Sequence, residues 1–287
     1  MSIKIGEISY TNILPMFFYI DRDHLQSKGC TFIPKVPAGL NEAMKAGKID
    51  VGGISSFAFG KSHDHYQLMP GLSVSSYGSV GSIFLFSHRP IESLEGADIA
   101  LTSSSATSVH LLKVMLAEFY NLNSIKYTTM APNPHEMKNN FDAFLLIGDD
   151  AIHASWENPS SMHCYDLGEM WYRHTGLPMT YAVFAVRKQA AKEHPEILKE
   201  LYKQFLYSKK LTLHRHLKDM TASIQKEHGG SQSFWEAYFK NLHYDFQEKE
   251  KESLLYYYQL MYKYGYFQKP VHNIDMWLAG NEVQYLF

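Results

Sequence analysis

Asn12 sits in the run Ser9-Tyr10-Thr11-Asn12-Ile13-Leu14-Pro15, directly after an apolar stretch over residues 3–8. Its amide can donate and accept hydrogen bonds at once. The spacing predicts a polar turn that opens a helix over 12–20, with Pro15 in the first turn, where a missing N–H is tolerated. Such a strand-to-helix junction aims unpaired backbone donors at whatever lies beyond the strand. The pattern recurs over 51–56, which ends in Ser55 and Ser56, and over 99–108, which holds Ser105, Thr107 and Ser108. Three junctions of one kind suit a small anion gripped by main-chain amides and hydroxyls.

Cationic side chains do not supply that grip. The five arginines, Arg22, Arg89, Arg173, Arg187 and Arg215, all lie outside the junctions, so bidentate guanidinium clamps are not evident. Ser105 has no Glu or Gln three residues on to complete a capping box, which leaves helix donors for a ligand. Ser55, Ser56 and Ser105 have a second reading as plain helix caps, because serine is favoured there whatever the function. Ser82 begins a strand over 81–87 and Ser79 lies in the turn before it. Asn12 and Ser82 are the candidate catalytic groups; Tyr10, Ser55, Ser56, Ser79, Ser105, Thr107, Ser108 and Asp149 are the candidate substrate contacts. Asp149 is also a candidate base, although an acid at a helix start complements the dipole without any chemistry. His153 lies one helical turn further on. His63-Asp64-His65 lacks a third ligand at useful spacing and reads as a solvated loop, so no metal is expected.

These side chains need a scaffold. Periodicity predicts strands over 3–8, 31–35, 49–54, 81–87, 98–102, 141–147 and 180–186, with helices over 37–47, 106–120 and 149–155 among them. Four further helices are predicted over 195–208, 211–226, 231–242 and 248–263, the last carrying Tyr256-Tyr257-Tyr258 as aromatic core. Alternation of strand and helix implies an α/β fold with mostly parallel sheets, whose ligands bind beyond the carboxyl ends of the strands. The strandless final third must pack back on the first. Two lobes are therefore expected, 1–87 with 185–287 and an inserted 88–184, separated by a cleft.

The 287 residues, 45% hydrophobic and 20% charged, suffice for two compact domains. A formal charge of −2 lacks the basic face that nucleic acid requires and supplies no steering field for anions, so anion recognition must be local. No apolar run approaches the roughly 18 residues of a membrane span. The sequence opens on a strand rather than a signal peptide, so a cytosolic location is expected. Cys30 and Cys164 fit neither a metal site nor a secreted disulfide framework. Nothing in the sequence sets the number of subunits.

Six stretches, in order, resemble the motifs of the menaquinone-pathway chorismate dehydratases. They are Ser9-Tyr10-Thr11-Asn12 with Pro15; Gly47-Lys48-Ile49-Asp50-Val51-Gly52-Gly53-Ile54-Ser55-Ser56; and Ser76-Tyr77-Gly78-Ser79-Val80-Gly81-Ser82 running on to Ser87. Leu101-Thr102 with Ser105-Ala106-Thr107-Ser108, Leu146-Ile147-Gly148-Asp149-Asp150-Ala151, and Trp171 with Thr175-Gly176-Leu177-Pro178 complete the set. The resemblance implies a type II periplasmic-binding-protein fold used as an enzyme, a lyase without metal or organic cofactor. Its substrate would be the dicarboxylate chorismate, dehydrated to 3-[(1-carboxyvinyl)oxy]benzoate in the opening step of the futalosine route. It also favours a pocket role for Asn12 over a cap. Thr11 departs from the more usual Leu and Ser79 from a common Pro, which bears on substrate positioning. A 1,4-dihydroxy-6-naphthoate synthase-like enzyme is the nearest alternative, but its glycine- and cysteine-bearing opening is absent. A non-catalytic solute-binding protein for a small anion is the other. The proton acceptor stays open among Asp149, His153 and the substrate's own enolpyruvyl carboxylate.

Overall fold

The computed structural model describes residues 2–157 and 162–278. The chain runs β1 (Ile3–Ile8), a 3-10 helix (Thr11–Met16), α1 (Arg22–Ser27), β2 (Cys30–Lys35), α2 (Pro37–Lys45), β3 (Val51–Ser55), α3 (Ser56–Lys61) and β4 (Tyr66–Ser76). Next come β5 (Ile83–Ser87), β6 (Asp98–Thr102), α4 (Thr107–Tyr120), β7 (Lys126–Met130), α5 (Pro134–Asn140), β8 (Ala143–Ile147), α6 (Gly148–Trp156), β9 (His163–Asp166) and α7 (Leu167–Thr175). Then follow β10 (Met179–Arg187), α8 (Lys188–Glu193), α9 (Pro195–His214), α10 (Leu217–His228), α11 (Gln232–Asn241), β11 (Leu242–His243) and α12 (Glu248–Lys263).

Two sheets form, ordered β11-β4-β10-β3-β1-β2 and β7-β6-β8-β5-β9. Each has a parallel triplet: β2, β1 and β3 in the first, β7, β6 and β8 in the second. Each triplet then meets a strand that has arrived from the other half of the chain and runs antiparallel, β10 against β3 and β5 against β8. The sheets are thus mixed rather than mostly parallel. Strand membership also moves the expected lobe crossings. β5 belongs to the second sheet and β10 to the first, so the chain crosses between Ser76 and Ile83 and again between Thr175 and Met179, instead of near 88 and 184. Both crossings use glycines with positive φ, Gly78 and Gly81 in one and Gly176 in the other, which other residues adopt at a cost. The ends of the expected first lobe, 1 and 279–287, lie outside the described residues.

Further differences have local causes. The helix expected over 12–20 is a six-residue 3-10 helix, Thr11–Met16, with Pro15 inside it. The helices expected over 195–208 and 211–226 divide instead at Arg215 and His216. Ser208 extends α9 because it is buried: its hydroxyl donates to the Pro15 carbonyl at 2.9 Å and accepts from the Tyr19 N–H at 2.9 Å. The start of α12 is rich in charge, yet Glu250 within it is buried and accepts from the Tyr77 hydroxyl at 2.6 Å. α2 follows expectation, burying Leu40, Ala43 and Met44 behind Pro37 at its start.

β3 is buried along its whole length and lies so close to β1 that a Cβ on Gly52 would stand 2.8 Å from the Gly6 carbonyl oxygen. A backbone atom cannot yield as a side chain does. Gly52→Ala should therefore cost about 1–3 kcal/mol by overpacking, read as a lower urea midpoint; an unchanged midpoint would show that the two strands can separate without loss.

Candidate active site

The carboxyl ends of the two triplets face each other and are fastened in pairs. β1 hands over to the 3-10 helix and β8 to α6. There the Thr11 hydroxyl donates to Asp149 Oδ1 at 2.7 Å, and the Thr11 N–H points at Oδ2 at 3.4 Å. β3 hands over to α3 and β6 to α4, where the Phe57 N–H donates to Thr107 Oγ1 at 3.0 Å. Thr11, Thr107 and Asp149 are all buried. Tyr10 bridges the two pairs. Its ring covers Gly148, where a Cβ would stand 2.9 Å away, and its hydroxyl is hydrogen-bonded to Ser104.

The remaining expected residues divide by what their polar atoms already do. Ser82 is buried, its carbonyl accepting from the Gly148 N–H at 2.7 Å and its Oγ from the Tyr238 hydroxyl at 3.0 Å. Ser105 Oγ accepts from the Ser108 N–H at 3.0 Å, so one donor of α4 is taken by the protein itself. Ser55 caps α3 by accepting from Ala58 N–H at 3.2 Å, and also accepts from Asn41. Ser56 donates its hydroxyl to the Thr180 carbonyl at 2.7 Å, which leaves its neighbouring main chain rather than its side chain at the interface. Ser79 is not brought to the group. It is exposed, and its carbonyl accepts from Asn241, as the turn between Gly78 and Gly81 dictates. Asn12 stands beside Thr11, half-buried, and its amide has no hydrogen-bond partner among the described residues.

Supporting groups come from stretches that looked purely structural. The Tyr257 hydroxyl donates to the Thr107 carbonyl at 3.3 Å and that of Tyr258 to the Ser56 carbonyl at 2.8 Å, so α12 props the starts of both α4 and α3. Burial raises both phenols well above their ordinary range and keeps them as donors. Sequence signals for Asp166, which accepts from the Val80 and Gly81 N–H groups, and for Tyr238 were lacking: no element was expected around the first, and the second sits in an amphipathic helix. His153 spends Nε2 on the His228 carbonyl at 2.9 Å, so this nitrogen carries the proton. Burial, then the neighbouring Asp149 carboxylate, raises the Asp150 carboxyl. Burial likewise raises the Tyr10 phenol. His63, in a short 3-10 turn, donates from Nδ1 to the Gly60 carbonyl at 2.9 Å.

Comparison with known proteins gives three findings. Residues 3–263 match a protein family described as menaquinone biosynthesis. A chorismate dehydratase of Thermus thermophilus is 32% identical over 199 residues, covering 64% of this chain and 70% of that protein. Among solved structures, a protein from Archaeoglobus fulgidus superposes with a TM-score of 0.70 at 17% identity, over 93% of this chain and 98% of that one. The alkanesulfonate-binding protein SsuA of Xanthomonas axonopodis pv. citri gives 0.70 at 14% identity, over 94% and 95%. A Candida albicans gene product described as having the generic periplasmic binding protein fold gives 0.62 at 10% identity, over 98% and 99%. At such identities the structures establish the fold, and it is this two-lobed one.

The interface between α3 and α4 has a titratable member. His110 stacks on Phe57 with ring centroids 3.8 Å apart, and burial pushes its imidazole down to about 4, against a hydrogen bond to the Ala106 carbonyl that favours the charged form. Between about pH 4 and the unfolded value near 6.5, the unfolded chain therefore binds the extra proton. The contribution is complete above the upper value and is lost as pH falls toward the lower. Urea midpoints measured from pH 7 to pH 4.5 should fall less steeply in His110→Phe than in the parent; identical slopes would contradict the assignment.

Proposed function

Because the chain belongs to the menaquinone biosynthesis family, we propose that it dehydrates chorismate to 3-[(1-carboxyvinyl)oxy]benzoate. The observation that carries the site assignment is Asn12, an unpartnered amide at the point where Thr11 and Asp149 fasten the ends of β1 and β8. Chorismate holds two carboxylates and a ring that becomes aromatic when water leaves. The ring hydrogen beside the enolpyruvyl ether is acidified through the conjugated ring carboxylate. Its removal gives a delocalised carbanion, and the neighbouring hydroxyl then departs. The ring proton and that hydroxyl together make the water released.

Such a reaction asks for anion clamps, a proton acceptor and a donor at the leaving oxygen. In this reading Asn12 and Ser82 serve the reacting part of the substrate, with Tyr10 alongside. The start of α4, with Ser105, Thr107 and Ser108, holds one carboxylate, and the main chain around Ser55 and Ser56 holds the other. Hydrogen bonds to a charged group contribute roughly 1.5–3 kcal/mol each, so a few suffice without arginine. Thr11 engages both oxygens of Asp149 and His228 engages His153. The acceptor assigned here is therefore the substrate's enolpyruvyl carboxylate, delivering the proton to the departing hydroxyl. Positioning and water exclusion are the protein's main contributions. Among the described residues no helix is long and apolar enough to cross a membrane. The proposed compartment is the cytosol, in keeping with free thiols at Cys30 and Cys164.

Incubation with chorismate should remove the diene absorbance and release the aromatic acid over many turnovers; binding at one equivalent without turnover would make the chain an anion carrier instead. Asn12→Ala should lower kcat by about 100-fold or more with an unaltered circular dichroism spectrum, and near-parental turnover would remove Asn12 from the chemistry. A chorismate analogue lacking the enolpyruvyl carboxylate should bind without reacting; turnover at the parental rate would return the acceptor role to the protein.

A further inference from the structure

The turn over 77–82 that delivers Ser82 into the site is held from three sides. Asp166 accepts from the Val80 N–H at 3.0 Å and the Gly81 N–H at 2.7 Å, while the same carboxylate caps α7 through the Gly168 and Glu169 N–H groups. Asn241 of α11 donates to the Ser79 carbonyl. Tyr238, one turn earlier on α11, lays its ring against Gly81, where a Cβ would stand 3.4 Å away, and donates its hydroxyl to Ser82 Oγ at 3.0 Å. Phe234, Trp235 and Phe239 pack around that ring with centroids 5.1–6.3 Å distant. The phenol oxygen thus has one place to be.

A serine hydroxyl has one proton and two lone pairs. With Tyr238 donating, one lone pair of Ser82 is occupied and its own proton must point elsewhere. Among the described residues that proton has no acceptor, although Ser82 is only 1% exposed. A buried donor without an acceptor is costly, and here it lies next to Gly148 and Asp149 at the mated strand ends.

We propose that Tyr238 is a positioning residue for the dehydration, fixing the rotor of Ser82 so that the Ser82 proton is presented to the departing hydroxyl of the substrate. The inference rests on the function proposed above. Ser82 gives a hydrogen bond and no net proton, since the proton taken from the ring is the one that leaves in water. Burial raises the Tyr238 phenol, which secures its donor state. α11, in the helical last third of the chain, thereby becomes part of the catalytic apparatus at one remove.

The full chain tests this in four forms: parent, Tyr238→Phe, Ser82→Ala and the double variant. Tyr238→Phe keeps the ring and its packing, and should lower kcat about tenfold, the equivalent of one ordinary hydrogen bond, with KM and the thermal midpoint close to parental. The double variant should match Ser82→Ala, because Tyr238 acts through Ser82. Unchanged kcat in Tyr238→Phe, or losses that multiply in the double variant, would overturn the inference while leaving the function intact. A parent that does not consume chorismate would overturn both. Should Tyr238→Phe lose its fold, Tyr238→fluorotyrosine keeps the shape and strengthens the donor; kcat must then change with an unchanged thermal midpoint, and an unchanged kcat refutes the role.

Discussion

Two hydrogen bonds across the lobe interface, Thr11 to Asp149 and Phe57 N–H to Thr107, fix where everything else must be. Each joins a strand end of the first sheet to a strand end of the second. They form only if both parallel triplets present their carboxyl ends to each other, which in turn requires β5 and β10 to enter the opposite sheets antiparallel. A buried carboxylate such as Asp149 is tolerated because Thr11 supplies both a hydroxyl and an N–H. Removal of Thr11's hydroxyl would leave that charge short of a partner, at a cost of about 1–3 kcal/mol.

The same interface explains why residues far apart in the chain are needed together. α12 sends Tyr257 to the Thr107 carbonyl and Tyr258 to the Ser56 carbonyl, so one helix sets the spacing of α3 and α4. Gly60 gives this arrangement its tightness, since a Cβ there would stand 2.5 Å from the Tyr258 ring. On the other side, α6 carries Asp149 in its first turn and ends with Trp156 set edge-on to Phe234 and Trp235, tying the second sheet to the α10–α11 corner. Packing and chemistry thus share residues, and aromatic core positions carry hydroxyls that orient the site.

The sequence made the strand ends legible, because buried strands of Val, Ile and Gly followed by Ser, Thr and Asn carry a local signature that needs no tertiary knowledge. Ile3–Ile8 and Asp98–Thr102 were readable to the residue for that reason, and the helix Glu248–Lys263 from the three- and four-residue spacing of its apolar positions. Sheet membership was not. β5 and β10 are apolar strands like any other, and nothing local records which sheet accepts them. β4 carries no clear strand pattern because Pro70 and Gly71 interrupt it, as its broken register with β10 reflects. Within the proposed site, the candidates Asn12 and Ser82 could be picked out from their junctions. Tyr238 was not, because a tyrosine on an amphipathic helix looks the same whether its hydroxyl meets Ser82 or bulk water. Ser79 is the opposite case: its neighbours in sequence pack against the proposed site, while the turn carries Ser79 itself to the surface.

The central claim is that the substrate lies among the mated strand ends and touches Asn12. Its most direct test is a crystal structure of the protein with 3-[(1-carboxyvinyl)oxy]benzoate bound. The account predicts ligand oxygens within hydrogen-bonding distance of the Asn12 amide and of the main chain at the start of α4, between the ends of β1, β3, β6 and β8. Ligand density confined to the outer hollow lined by Lys203, Tyr207, Lys210 and Arg215, with Asn12 untouched, would contradict it.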